Sequence, residues 1–415
     1  MGVKVKRYFV LIILLAGLLS MQGCVMNEGQ ASFDKTNDGN LTKAEPIHVQ
    51  SMIAGHLSSF ALTNRGELYA WGDNHEGVLG IGHTNSAETP VRVPLAKKIT
   101  QVIPGSFTVA LTEDGEIYIW GVNDFPEVLG DSRTFDTRPV SFTLPEKIVK
   151  IGRGNGVGLA ISEKGSLYTW GWNYYGQRGD GGRSHSFVPY KVDLPEPVVD
   201  VSCIHSHVMA LSETGKVYTW GSNFFGEIGD GGPVAYKPGG ELIETTIPTP
   251  HKVAFDKKII SIATGRCASY ALDEDGRLYA WGDNAVGQLG IANKEVFNSS
   301  TPLRVAIPQK VTKIDSGYFH ALALTEDGAL YSWGFNSGDG KLSVIGNGST
   351  EESFFQPQRI TVPGENTSIS AGNGYTWVIT KNDGIYGWGA NGYGQIDAKL
   401  SSHINTPTKI SLRLE

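Results

Sequence analysis

Residues 34–45 run Asp34-Lys35-Thr36-Asn37-Asp38-Gly39-Asn40-Leu41-Thr42-Lys43-Ala44-Glu45, which matches the ligand order of a twelve-residue calcium loop. Asp34, Asp38 and Glu45 would supply carboxylates, Asn40 its backbone carbonyl and Thr36 a weaker oxygen ligand, with Gly39 at the sharp turn. The usual flanking helices have no room: nine residues separate Cys24 from Asp34, and Pro46 follows Glu45 at once. The stretch reads equally as a polar tether, so calcium and tether both stay open, and no other cofactor is expected. His205, His207 and His320 could form an acid/base or metal pair, but each precedes a recurring Ala-Leu strand and reads as part of the repeat. There is no Gly-x-Ser-x-Gly, no His-Glu-x-x-His and no phosphate-cradling glycine loop, so the chain is expected not to be an enzyme. A third constellation is aromatic. Trp172, Tyr174, Tyr175, Phe224 and Phe225 follow two successive Trp-Gly pairs, and rings of this kind anchor interfaces because they bury much area at little cost in side-chain entropy. The competing reading is that these rings pack one loop on the next.

The first 23 residues read as an export signal. Lys4, Lys6 and Arg7 form a positive start, and Tyr8 to Leu19 is an apolar run too short to span a bilayer. The run ends in Leu19-Ser20-Met21-Gln22-Gly23-Cys24, which resembles the lipobox of bacterial lipoproteins, with Met21 and Gln22 departing from the usual residues. The resemblance implies lipidation at Cys24, a tether over residues 24–45 and a location at the outer side of the cell membrane. Removing the three cations of the signal takes the formal charge from −7 to −10, a poor balance for nucleic acid. Apart from Cys24 only Cys203 and Cys267 occur, expected as two thiols, with a bridge between neighbouring repeats as the alternative.

The elements that must carry these groups come in a repeat. Trp-Gly recurs at Trp71, Trp120, Trp170, Trp220, Trp281, Trp333 and Trp388, at spacings of 49, 50, 50, 61, 52 and 55. Such periods mean a solenoid, propeller or array. Each unit holds a Pro-containing strand, a strand ending near Gly, an Ala-Leu strand, a turn such as Asp275-Gly276, and a short strand into Trp-Gly. Asp-Gly between apolar strands predicts type I′ hairpins. An Asn two residues past each Trp-Gly, from Asn74 to Asn391, predicts a structural turn with a left-handed residue. The expected fold is all-β, a seven-bladed β-propeller over residues 46–415, built from repeats of about 50 residues around a channel. The first unit opens near Pro46 and the chain ends on Pro407-Thr408-Lys409-Ile410, so the two termini are expected to complete one sheet between them.

The pattern Ala271-Leu272, Asp275-Gly276, Leu278-Tyr279, Trp281-Gly282, Asn284 and Gly287-Gln288-Leu289-Gly290 resembles the repeat of the regulator of chromosome condensation family. The second unit departs from it at Pro126-Glu127, and the seventh looks one residue short at Gly384-Ile385-Tyr386-Gly387-Trp388. Paired glycines sit after Trp-Gly and not before the central strand, which argues against kelch repeats. The resemblance implies a propeller that works by binding. The founding member's chromatin and small-GTPase partners suit an exported acidic chain poorly, so a protein or cell-wall component is the expected partner. The chain is expected to be a lipid-anchored monomer. Two other readings stay open: a propeller-face enzyme, and an inhibitor of an extracellular enzyme.

Overall fold

The computed structural model describes residues 46–122, 135–152, 154, 156–232, 234, 245–338, 340–382 and 384–414. Among them lie twenty-eight strands and no helix, arranged as seven four-stranded antiparallel sheets. The blades span 49–92, 99–142, 148–191, 198–253, 259–304, 311–360 and 366–410. Strand order in every blade is the chain order, a simple meander. The first strands of all seven blades line one central cavity of about 490 Å³. Second strands are buried along their whole length, as Ser58–Thr63 and His320–Thr325 are, because each sheet is covered on both faces by its neighbours. This explains why apolar residues occur on both sides of these strands.

The blades are in phase with the chain. The Pro-containing strand is the outermost strand of the preceding blade, as Ala87–Arg92 shows by pairing with Leu68–Gly72. The termini therefore do not share a sheet: Val49–Ala54 pairs with Ser58–Thr63, and His403–Ile410 with Ile385–Ala390. The ring closes through side chains instead. Tyr375 donates its hydroxyl to the Ser58 carbonyl at 2.6 Å and accepts from the Gly55 N–H at 2.9 Å. The Trp377 indole donates to Ser59 Oγ at 2.9 Å and lies edge-on to Trp71.

Two local expectations change. The hairpins between second and third strands are type I turns followed by a left-handed glycine. Gly115 N–H donates to the Thr112 carbonyl and Thr112 N–H to the Glu116 carbonyl, with only Gly115 at positive φ. The three-residue loop with a glycine bulge replaces the two-residue type I′ turn. The seventh hairpin is not short: Thr380 N–H reaches the Gly384 carbonyl as Asp273 N–H reaches that of Arg277, so Gly384 stands one place past the usual glycine. The described loop asparagines are not left-handed either. Ala292 is the sole non-glycine at positive φ among the described residues.

Each Trp of the Trp-Gly pair is buried, and five of them point into the loop of the preceding blade. Trp120 donates to the Val78 carbonyl at 2.7 Å, Trp220 to Gln177 at 2.8 Å, Trp281 to Glu227 at 2.8 Å and Trp333 to Gln288 at 3.0 Å. In these five loops the closing glycine, Gly80, Gly179, Gly229, Gly290 or Gly346, lies against the same indole: a Cβ on Gly290 would stand 2.6 Å from Trp333 Nε1. Gly340 has almost the same φ, +68° against +67°, with nothing within 4 Å of its Cβ position. Gly340→Ala should therefore cost only backbone strain, about 1–2 kcal/mol. Gly290→Ala should cost about 1–3 kcal/mol more, the scale of overpacking. Equal losses in a urea melt of the two variants would show that the indole contact is not tight.

Candidate functional site

In a meander blade, the loops after the first and third strands leave on the same face. That face gathers seven inner loops around the channel and seven outer loops after Trp-Gly. The outer loops are held by their asparagines. Asn173 Oδ1 accepts from the Arg178 N–H at 2.9 Å, and its Nδ2 donates to the carbonyls of Gly182 and Ser184 and to Asp180 Oδ1. Asn74, Asn223, Asn284, Asn336 and Asn391 also accept from a backbone N–H of their own loop. These loops are rigid supports and not turns of convenience.

The aromatic constellation lies on this face, across blades three and four. Trp172 and Tyr174 meet edge-on at 6.5 Å between ring centroids, and Tyr175 meets Phe224 across the blade boundary at 5.7 Å. Tyr174 is 61% exposed, whereas Trp172, Tyr175, Phe224 and Phe225 are half-buried. The two proposed roles divide among the rings: the Tyr175–Phe224 contact is packing between loops, and Tyr174 is the ring presented to solvent. Tyr393 and His75 repeat the packing contact between blades seven and one at 6.3 Å. His185 is a member that sequence reasoning missed. It stacks edge-on against Tyr174 at 4.1 Å, and its Nδ1 accepts from the Asn173 N–H at 2.8 Å. Only the fold brings it back to the start of its own loop.

A second set of groups, also missed, rings the channel mouth. Tyr318 of blade six reaches toward His56 of blade one and His205 of blade four, at 5.3 and 6.4 Å between ring centroids. Arg266 lies over the Phe319 ring at 5.2 Å. Burial holds both histidines below their ordinary range, with the charge of Arg266 adding to the effect at His205 and Asp73 opposing it at His56. Beside them is a concavity of about 190 Å³, lined on one side by Asp73 and Glu76. Aligning the repeats on the residue after each inner-loop glycine would have found His56, Arg266, Tyr318 and Asn373.

Of the three histidines singled out in the sequence, His207 and His320 pack between blades, while His205 stands at the channel mouth. His207 is fully buried with Nε2 at 3.0 Å from Ser269 Oγ of the next blade, and His320 Nε2 stands 3.1 Å from Thr376 Oγ1. Burial, with the neighbouring His205, lowers His207 to about 3. Cys203 and Cys267 are not bridged. Burial pushes the Cys267 thiol up, with Glu227 and Asp283 adding to it. Cys24, the tether residues Asp34, Thr36, Asp38, Asn40 and Glu45, and the aromatic Phe125 fall outside the described residues. Among the described residues no group of three His, Cys, Asp or Glu side chains could hold a metal.

The opposite face carries the hairpins and the starts of the first strands, each of which is bulged at its second residue. In blades two, six and seven a threonine there closes the bulge, as Thr100 Oγ1 does on the Leu111 carbonyl at 3.2 Å. In blades three, four and five the same place holds Val149, Val199 and Ile260, about half exposed.

The architecture is that of a seven-bladed β-propeller that presents ordered loops on one face. The chain belongs to the RCC1-like domain family, whose model matches residues 188–415, while the regulator of chromosome condensation (RCC1) repeat matches residues 65–111 and 164–211. It is 30% identical over 140 residues to the human probable E3 ubiquitin-protein ligase HERC6, covering 32% of this chain and 13% of that protein. The chain thus spans a small part of such relatives. Among solved structures it is similar to human WBSCR16, with a TM-score of 0.72, 20% identity and 83% and 95% of the two chains covered. It is also similar to Prp20p of Saccharomyces cerevisiae, with a TM-score of 0.70, 22% identity and 84% and 87% covered. At these identities the structures establish the fold.

One buried acid sits under the aromatic loops. Gln177, Gln288 and Gln395 each accept from the N–H two residues earlier, and Glu227 takes this place in blade four, accepting from Phe225 N–H at 2.8 Å. Its partners are rearranged to suit. Gln288 Nε2 donates to Asp283 Oδ2 at 2.7 Å, while at the matching place in blade four the Ser222 hydroxyl donates to Glu227 at 3.4 Å. Burial pushes the Glu227 carboxyl from 4.5 up to about 7, with Asp283 adding to it. The folded pKa is raised, so the stability linked to this group is full below about pH 4.5, falls between pH 4.5 and 7, and stays lost above. Glu227→Gln should therefore gain about 3 kcal/mol on the native chain between pH 4.5 and 8. A difference between the two urea-melt profiles that is flat with pH would refute the assignment.

Proposed function

We propose that the chain is an exported, lipid-anchored, non-catalytic propeller that binds a protein partner through its loop face. The observation that carries this is the exposed Tyr174 ring, braced by Trp172 and His185 on a loop fixed by Asn173, beside the Tyr175–Phe224 contact. A large ring held in place before binding loses little entropy on binding, which is what an interface anchor requires. Prp20p is described by its binding to Gsp1p and histones, and that precedent supports a binding role for a propeller of this family. The partners themselves do not carry over.

The anchor rests on the basic start, the apolar run to Leu19 and Cys24. Residues 24–45 then act as the spacer between lipid and propeller, with the calcium loop over Asp34 to Glu45 as a further role for the same residues. A monomer at the outer face of the membrane follows from this reading.

Tyr174→Ala combined with Phe224→Ala should cost only about 0.5–1.5 kcal/mol of stability, the scale of the one edge-on contact between Tyr175 and Phe224. Capture of the partner from the native envelope should weaken by about 2 kcal/mol or more, the scale of an interface hot spot. A sharp fall in melting temperature, or unchanged capture, would place the binding surface elsewhere. Cys24→Ser should move the protein out of the membrane fraction and remove the mass of the lipid. Retention in the membrane with no change in mass beyond the substitution would contradict the anchor.

A further inference from the structure

The chain carries 42 acidic residues and a formal charge of −7, yet the seven inner loops contain no aspartate or glutamate. These loops are residues 55–57, 104–106, 153–156, 203–206, 265–267, 317–319 and 372–374, between the first and second strands of the blades. Their described basic side chains at the mouth are His56, His205 and Arg266. Burial disfavours the charged form of both histidines, so among the described residues of these acid-free loops Arg266 is the standing cation, with Asp73 and Glu76 of the blade-one outer loop across the cavity.

The geometry of the channel mouth suits an anion. Arg266 is exposed, and its guanidinium lies over the Phe319 ring at 5.2 Å, a cation–ring contact that restrains it before any ligand arrives. No carboxylate pairs with it among the described residues. Asp283, whose charge it feels, is committed to its own loop, accepting from Ala285 N–H at 3.1 Å and Gln288 Nε2 at 2.7 Å. His205 shares its Nδ1 with Ser206 Oγ at 3.0 Å. His56 Nε2 accepts from Asn373 Nδ2 at 2.9 Å, so its Nδ1 carries the proton and is a donor. Tyr318 stands between the two histidines. Asp73 and Glu76 face the cavity from the blade-one loop, so an anion is repelled there and seated on the Arg266 side of Tyr318.

We propose that the channel mouth binds a carboxylate side chain from an acidic peptide segment of the protein partner, with Arg266 as the charged anchor and His205 and Tyr318 framing it. This deepens the loop-face reading by naming the partner's chemistry. A guanidinium–carboxylate pair is charge-assisted and can be bidentate, and an arginine already restrained by a ring contact loses little freedom on forming it.

The test is fluorescence anisotropy on the full chain with a short labelled, acetylated glutamate-rich peptide and its glutamine counterpart. The glutamate peptide should bind better, and binding should weaken as salt is raised. Arg266→Gln should lower its affinity about tenfold or more with an unchanged melt, the scale of one charge-assisted pair. Tyr174→Ala with Phe224→Ala should leave peptide binding intact. Equal binding of the two peptides, or full binding by Arg266→Gln, overturns the proposal. Inorganic phosphate binding as tightly as the peptide, and depending equally on Arg266, overturns the peptide assignment in favour of a free-anion site. If the peptide fails while partner capture still depends on Tyr174 and Phe224, the mouth assignment falls and the loop-face reading stands.

Discussion

The contact on which this ring depends is the docking of a blade's buried indole into the outer loop of the blade before it, seen among the described residues at five of the seven boundaries. The indole N–H needs an acceptor because it is buried, and the loop carbonyl at Val78, Gln177, Glu227, Gln288 or Val344 supplies one. The same acceptor often serves twice, as Val78 does for Trp120 and for the Thr108 hydroxyl. The closing glycine must then lie against the ring, since any Cβ would enter it. This requirement accounts for the closing glycine at Gly80, Gly179, Gly229, Gly290 and Gly346. It also ties the outer loops to the core: a loop that docks an indole below cannot drift above.

The rest of the loop face follows from that docking. Once the outer loops are fixed, their asparagines hold the backbone and the positions after Trp-Gly are free to vary. Blade three spends them on Trp172, Tyr174 and Tyr175, blade four on Phe224 and Phe225, and the rings meet because the loops are locked side by side. The inner loops carry no docking duty toward the outer strands, and their side chains converge over the channel from blades far apart in sequence. His56, His205 and Tyr318 meet for that reason alone. The face therefore has two zones of different chemistry: an apolar, aromatic outer zone at blades three and four, and a polar inner zone with Arg266 over Phe319.

Much of this was legible in the sequence, and the parts that were not have physical causes. Trp-Gly at seven places named the fold because an indole in every unit is a core requirement that sequence must repeat. The asparagines were legible as structure, but their conformation was not, because a buried side chain that staples a loop and a left-handed turn residue look alike in one dimension. Asp-Gly announced hairpins, while the turn type depended on one extra loop residue that pairing alone reveals. The blade phase was misread: a Pro-containing strand can open a unit or close the previous one, and only the pairing of Ala87–Arg92 with Leu68–Gly72 decides it. The channel-mouth groups were invisible because they share no local motif. Glu227 was readable in principle as an acid where the repeats carry glutamine, but its burial was not.

The central claim is that the partner meets the loop face and not the hairpin face. Site-specific photocrosslinking in the native envelope tests it most directly, with a photoreactive residue placed at position 174 or at position 199. Tyr174 and Val199 are both well exposed, at 61% and 47%, and they stand on opposite faces of adjacent blades. The account predicts one discrete crosslinked partner from position 174 and none from position 199. A partner captured from position 199 and not from 174 would contradict it.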